Sequence, residues 1–396
     1  MLISVVRRHS TPRAIGIALY VSVFAAIGAA PPYLPIYYES LGLSLGAIGL
    51  LAAVAAICGL LAAPAWGMAA DQAGSRAVLV AASLGSVVCA TGLAFATQPA
   101  VAALMAVLYA LSFAGIGPVL DAYALLLVAE KQHRYARLRV WGSASFVVST
   151  VAVGIVIGQT ELRSLFIVLV GALLVTVALS VLLPTRARGR PPGRPQRPLS
   201  GLRAVLRSST LMWFVVAALV AWSASTMVNG FLSIYMVSLG APAAVVGSAW
   251  ALGALVEVPT MIAFPIIAAR FGVARLVVLG AGLLLMRVVV LVLTSDARVV
   301  TLSMALHGAG YALLLVGGVT YVARRAPAGS GATAQGVLSG VVFGLAQAIG
   351  PGVAGLIAGS TSIQTMFWFA MAASVAGVVA VYLAVTRARD PVLTGA

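Results

Sequence analysis

Twelve stretches of nearly uninterrupted apolar sequence recur along these 396 residues. Each is long enough to cross ~30 Å of hydrocarbon, a distance that takes about 20 helical residues. They run over residues 14–38, 46–69, 77–97, 100–128, 138–158, 164–184, 209–238, 244–269, 274–294, 299–323, 332–358 and 363–386. Lipid offers no hydrogen bonds to a backbone, so each stretch is predicted to be an α-helix. With 62% hydrophobic and 8% charged residues and a mean hydropathy of +1.12, a water-soluble globular domain is excluded. The expected class is an all-α membrane protein of twelve transmembrane helices, six on either side of one polar interruption.

That interruption, Pro184 to Arg207, reads PTRARGRPPGRPQRPLSGLRAVLR and carries seven arginines and no acid. It divides the chain into a bundle over 1–184, a basic linker over 185–208 and a second bundle over 209–396. All but three of the 24 basic residues fall on the linker's side of the membrane: Arg7, Arg8 and Arg13, Arg76, Lys131, Arg134, Arg137 and Arg139, Arg270 and Arg275, Arg324 and Arg325, Arg387 and Arg389, besides the linker itself. Arg163 and Arg298 lie opposite, and Arg287 lies inside a span. Cytoplasmic loops carry the excess of Lys and Arg, so both termini and the linker are expected in the cytoplasm of a multi-pass cell-membrane protein. The net charge of +16 is spread between apolar blocks rather than over a polar face, which points to the lipid bilayer as partner and not to nucleic acid. The opening MLISVVRRHSTPR is expected to lead into an uncleaved first helix, because the apolar run after it is about twice a signal core. Cys58 and Cys89 both sit in apolar runs and are expected to pack as free thiols.

The two halves are related. A shift of 198 residues lays YLPIYYESLG from Tyr33 on FLSIYMVSLG from Phe231, with six of ten positions identical, and also lays Gly49 on Gly247 and Gly74 on Gly272. This reads as a tandem duplication, and parallel six-helix repeats suit a carrier that exposes a midplane site to each side in turn.

Motifs sharpen the reading. The connection after the second helix, Gly67-Met68-Ala69-Ala70-Asp71-Gln72-Ala73-Gly74-Ser75-Arg76, resembles the major facilitator signature GxxxDxxGR[RK], with Ser75 displacing the arginine by one position. The resemblance implies the major facilitator fold of two pseudo-symmetric bundles. It also implies a gating motif in which Gly67 permits close helix contact, Asp71 caps a helix start or pairs with a cation, and Arg76 pairs across the gate. Gly117-Pro118-Val119-Leu120-Asp121-Ala122, followed by Arg137-Leu138-Arg139-Val140-Trp141-Gly142, resembles the branch holding lactose permease and the phenylpropionate and nucleoside symporters. There the residues matching Asp121 and Arg139 form a charge pair beside the substrate; a helix-tying salt bridge is the plainer alternative. The glycine-rich eleventh helix, from Ala332 through Gly350-Pro351-Gly352 to Gly355, is similar to the same branch, and Pro351 is expected to weaken one turn. The fifth helix, Ser145 to Gly158, lacks the proline of drug antiporters, which argues against export.

The second half adds Glu257, Arg287 and His307, each within an apolar span and expensive there unless paired or facing water. Rising 1.5 Å per residue, Glu257 and Arg287 lie about 20 Å and His307 about 12 Å along their helices, so all three reach mid-depth. A carboxyl, a guanidinium and an imidazole at one level can share a proton. In lactose permease the matching helices also carry such residues for proton coupling, but the acid expected one turn after the histidine is Gly310 here. Trp141, Tyr37, Tyr235, Asn229 and Gln347 are further candidates for substrate contact.

No metal-ligand cluster, phosphate-cradling loop or nucleophile motif is present in the sequence, so neither an enzyme nor a cofactor is expected. The function expected is secondary active transport of a small organic solute by proton symport, carried out by a monomer. Proton-coupled efflux is the runner-up; a membrane-embedded transferase and a non-transporting receptor are remoter alternatives.

Overall fold

The computed structural model describes residues 12–127, 132–183 and 198–387. Within them, twelve helices are long and apolar enough to cross a membrane: Ala14–Ser40, Leu45–Ala73, Ser75–Phe95, Pro99–Leu125, Arg139–Gln159, Leu162–Val181, Ser209–Ser238, Ala243–Phe271, Val273–Leu293, Ala297–Arg325, Gly331–Ser360 and Ile363–Arg387. They are called the first to twelfth spans. Several hydroxyls inside them return to their own backbones, as Ser86 does to the Ala82 carbonyl and Thr260 to Val256. Leu61, Phe95, Ile266 and Leu293 are each 70% exposed or more, a surface tolerable only against lipid.

Three spans are interrupted where backbone chemistry asks for it. The first breaks over Ala30–Tyr33, where Pro31 and Pro32 lack N–H donors, and resumes as Leu34–Ser40. The fourth breaks between Phe113 and Ile116, at Ala114-Gly115. In the eleventh, the helix runs unbroken through Pro351, and the irregularity is a π-turn upstream of it at Val341–Leu345. The expected weak turn is thus displaced from the proline.

Of the expected linker, residues 185–197 lie outside the described residues, as do Arg7, Arg8, Lys131 and Arg389. Further along it Pro198–Arg207 is helical, starting on a proline whose missing N–H costs nothing at the first helical position. Val205 is buried, and Gly201 approaches Thr333 at the start of the eleventh span.

The described helices sort into two compact units, one drawn from Met1–Ser44, Val54–Gly193 and Met236–Ala254, the other from Leu45–Ala53, Arg194–Tyr235 and Leu255–Ala396. The opening turns of the second and eighth spans are therefore exchanged, each packing with helices of the opposite half of the sequence. The duplication predicts this symmetry, since the 198-residue shift carries Leu45–Ala53 onto the start of the eighth span. Within one unit, a Cβ on Gly49 would meet Gly355 Cα at 2.6 Å, and one on Gly359 would meet Gly46 N at 2.8 Å, so the second span presses backbone to backbone on the eleventh. Within the other, a Cβ on Gly247 would run into the Thr150 carbonyl and the Tyr33 hydroxyl, and one on Gly154 would meet Ala244 Cα at 2.9 Å. Other matched features repeat the pattern. Gly74 and Gly272, at φ 89° and 83°, turn the chain into the third and ninth spans, a conformation that glycine adopts freely. Tyr37 meets Phe166 edge-on at 4.9 Å, and its counterpart Tyr235 meets Phe367 at 4.8 Å.

Candidate functional site

In the first unit, the fourth span holds Asp121 and the fifth holds Arg139. Arg139 Nη1 stands 3.6 Å from Asp121 Oδ2, with the side chains 53% and 37% exposed. The pair is thus neither sealed in the packing nor turned wholly outward. The other carboxylate oxygen accepts the hydroxyl of Tyr20, on the first span, at 2.5 Å. A carboxylate held from both sides on apolar helices is fixed in direction, as recognition of a polar solute requires. Trp141 follows two residues after Arg139 on the fifth span and is 54% exposed. Tyr20 escapes the sequence reading. Its signal was a phenol deep in an apolar helix, where the hydroxyl must find a partner.

Tyr37 is 1% exposed and donates to the Leu93 carbonyl at 2.7 Å; Tyr235 is 5% exposed and donates to Thr294 at 3.0 Å. Both hydroxyls tie helices together. Gln347 is exposed on the eleventh span.

The second unit gathers three polar side chains from three helices. Arg287, on the ninth span, is 1% exposed, and its Nη1 donates to Asn229 Oδ1 of the seventh span at 2.8 Å and contacts His307 Nδ1 of the tenth at 3.2 Å. A guanidinium has no acceptor, so Nδ1 must accept; His307 is therefore the neutral tautomer with its proton on Nε2. Arg287 Nε and Nη2 have no hydrogen-bond partner among the described residues. The ninth and tenth spans come together at two glycines, where a Cβ on Gly280 would meet Gly310 O at 2.9 Å and one on Gly310 would meet Leu284 Cγ at 3.0 Å. That crossing brings Arg287 within reach of His307, and it leaves no room for an acidic side chain at 310. The ring of His307 lies 5.7 Å from Tyr311, which meets Trp222 edge-on at 4.9 Å. Glu257, on the eighth span, is half-buried in the same unit.

The gating motif departs from the expected arrangement in two respects. Among the described residues, a Cβ on Gly67 would meet nothing within 4 Å, so none of their helices packs closely there. Asp71 lies exposed in the closing turn of the second span, and Gly74, with no side-chain cap, precedes the third. Asp71 therefore caps no helix start. Arg76 sits half-buried in the opening turn of the third span.

Comparison with known proteins follows the same lines. A family model described as the MFS_1 like family matches residues 17–369. The chain is 27% identical over 372 residues to a maltose permease of Geobacillus stearothermophilus, covering 93% of this chain and 94% of that one. It is 28% identical over 249 residues to a probable 3-phenylpropionic acid transporter of Escherichia coli K12, covering 60% and 63% respectively. The solved nucleoside transporter NupG aligns with a TM-score of 0.84 at 15% identity, covering 95% of this chain and 99% of that one, a likeness of fold.

Proposed function

The chain belongs to the MFS_1 like family and is a multi-pass membrane transporter of the major facilitator type, and on that premise we propose that it imports a small organic solute by proton symport. In this reading the halves 1–184 and 209–396 alternate access to a central site, with the linker and both termini in the cytoplasm. Asp121 and Arg139 contact the solute, and Trp141 offers a ring face. Glu257, Arg287 and His307 couple the solute to a proton.

One observation carries the proposal: a guanidinium 1% exposed, fixed by an amide and a neutral imidazole from two other spans. Such a group is costly in lipid and is kept where it has work to do. Protonating His307 at Nδ1 breaks its bond to Arg287 and sets two cations about 3 Å apart, so proton uptake and release of Arg287 are linked. With position 310 closed to an acid by the glycine crossing, Glu257 is the carboxyl left in this unit's spans to carry the proton.

The test is uptake by proteoliposomes of labelled solutes, a disaccharide, an aromatic acid and a nucleoside, under an imposed pH gradient. With the outside acidic, at least one solute is expected to accumulate, and inverting the gradient is expected to stop it. Accumulation only with the inside acidic means antiport, and uptake blind to the gradient rejects proton coupling.

A further inference from the structure

Arg287 is used on one side only. Its Nη1 is held by Asn229 at 2.8 Å and His307 at 3.2 Å, while Nε and Nη2, the two donors that lie parallel along one edge of the guanidinium, are buried without a partner among the described residues. That edge matches the two oxygens of a carboxylate, which it binds through paired hydrogen bonds. The guanidinium does not shed its charge by deprotonation, so burial leaves an uncompensated cation and two unmade hydrogen bonds in one place. Neither fixed partner is anionic: Asn229 is an amide, and His307 is neutral because its Nδ1 accepts.

We propose that the Nε–Nη2 edge of Arg287 receives a carboxylate of the transported solute, and hence that the cargo is an organic carboxylic acid carried as its anion. The inference rests on the transport reading above and narrows its substrate class. Asn229 and His307 orient the fork by fixing Nη1, and the rings of Tyr311, beside His307, and of Trp222, edge-on to Tyr311, offer an apolar wall for the rest of the molecule. Both donor atoms are covered in this structure, so the anion reaches them only as the surrounding spans part. A neutral sugar gives this edge no charge and so leaves the burial cost unmet.

The anchor is tested without knowing the tail, because very small ligands bind well per atom when charge and geometry match. Acetate, benzoate and 3-phenylpropionate are compared with their primary amides and with maltose, as thermal stabilisation of the purified full chain in detergent. At least one acid is expected to stabilise the protein at concentrations where its amide does not. Arg287→Gln is expected to weaken acid binding at least about tenfold, and Arg287→Lys, which keeps the charge without the fork, to weaken it measurably; Lys also covers the case in which Gln fails to fold. Equal binding of acid and amide, unchanged acid binding in both variants, or stabilisation by none of the acids overturns the proposal. Gradient-driven uptake of maltose that survives Arg287→Lys overturns it too, while leaving proton symport standing. Acid binding without gradient-driven uptake of any solute does the reverse.

Discussion

Glu257→Gln is expected to reduce gradient-driven accumulation to simple equilibration while solute exchange across the membrane persists. A proton gradient of one pH unit is worth roughly tenfold accumulation in one-to-one symport, since ~1.4 kcal/mol is a factor of ten. The variant is expected to reach an inside-to-outside ratio of about one. Gln keeps the size and hydrogen-bonding reach of the side chain but takes up no proton, so carrier movement survives and the coupling does not. The assay measures net uptake under a pH gradient beside counterflow without one. Undiminished accumulation removes Glu257 from the mechanism; loss of both activities assigns it to the carrier's movement instead.

The next largest effect is expected at the paired glycine contacts. At Gly49 and Gly247 the obstacle is backbone, the Pro351 carbonyl and Gly355 Cα in one case and the Thr150 carbonyl in the other, so a larger residue cannot be relieved by turning a side chain. Overpacking a close contact typically costs about 1–3 kcal/mol. Gly49→Leu and Gly247→Leu are each expected to lower the thermal midpoint by several degrees and to cut the transport rate at least about tenfold. Gly67→Ala is the contrast. It adds a methyl where nothing lies within 4 Å, inside a helix where alanine is favoured by up to ~1 kcal/mol, so stability is expected to hold or rise. Wild-type rates in both leucine variants show that these contacts do not form during the cycle.

The fold was legible because each spanning helix announces itself by length and hydrophobicity alone, with no partner needed to define it. The duplication was legible for a related reason. Gly74 and Gly272 occupy turns that glycine favours, so they keep their place through divergence that blurs most other positions. What the sequence hides is contact between distant residues. Tyr20 and Asp121 are 101 positions apart and Asn229 and Arg287 are 58, and nothing local in either stretch says that they meet. Arg287 and His307 were placed at one depth by counting along their helices, but their bond depends on the crossing at Gly280 and Gly310, where the signal is only the absence of side chains. Two of the aromatic candidates have structural partners that the sequence does not show. A tyrosine in an apolar helix needs a partner for its hydroxyl, and for Tyr37 and Tyr235 that partner is backbone of a neighbouring helix. Gly67 and Asp71 matched a motif by spacing, yet the contact and the cap expected of them depend on neighbours that the spacing does not specify.

The account stands most directly on whether solute and proton move together. In weakly buffered proteoliposomes with no imposed gradient, adding a transported solute outside is expected to make the external medium transiently alkaline. A protonophore should abolish that signal, and Glu257→Gln should lack it. Solute entry with no change in external pH, or with acidification, contradicts proton symport.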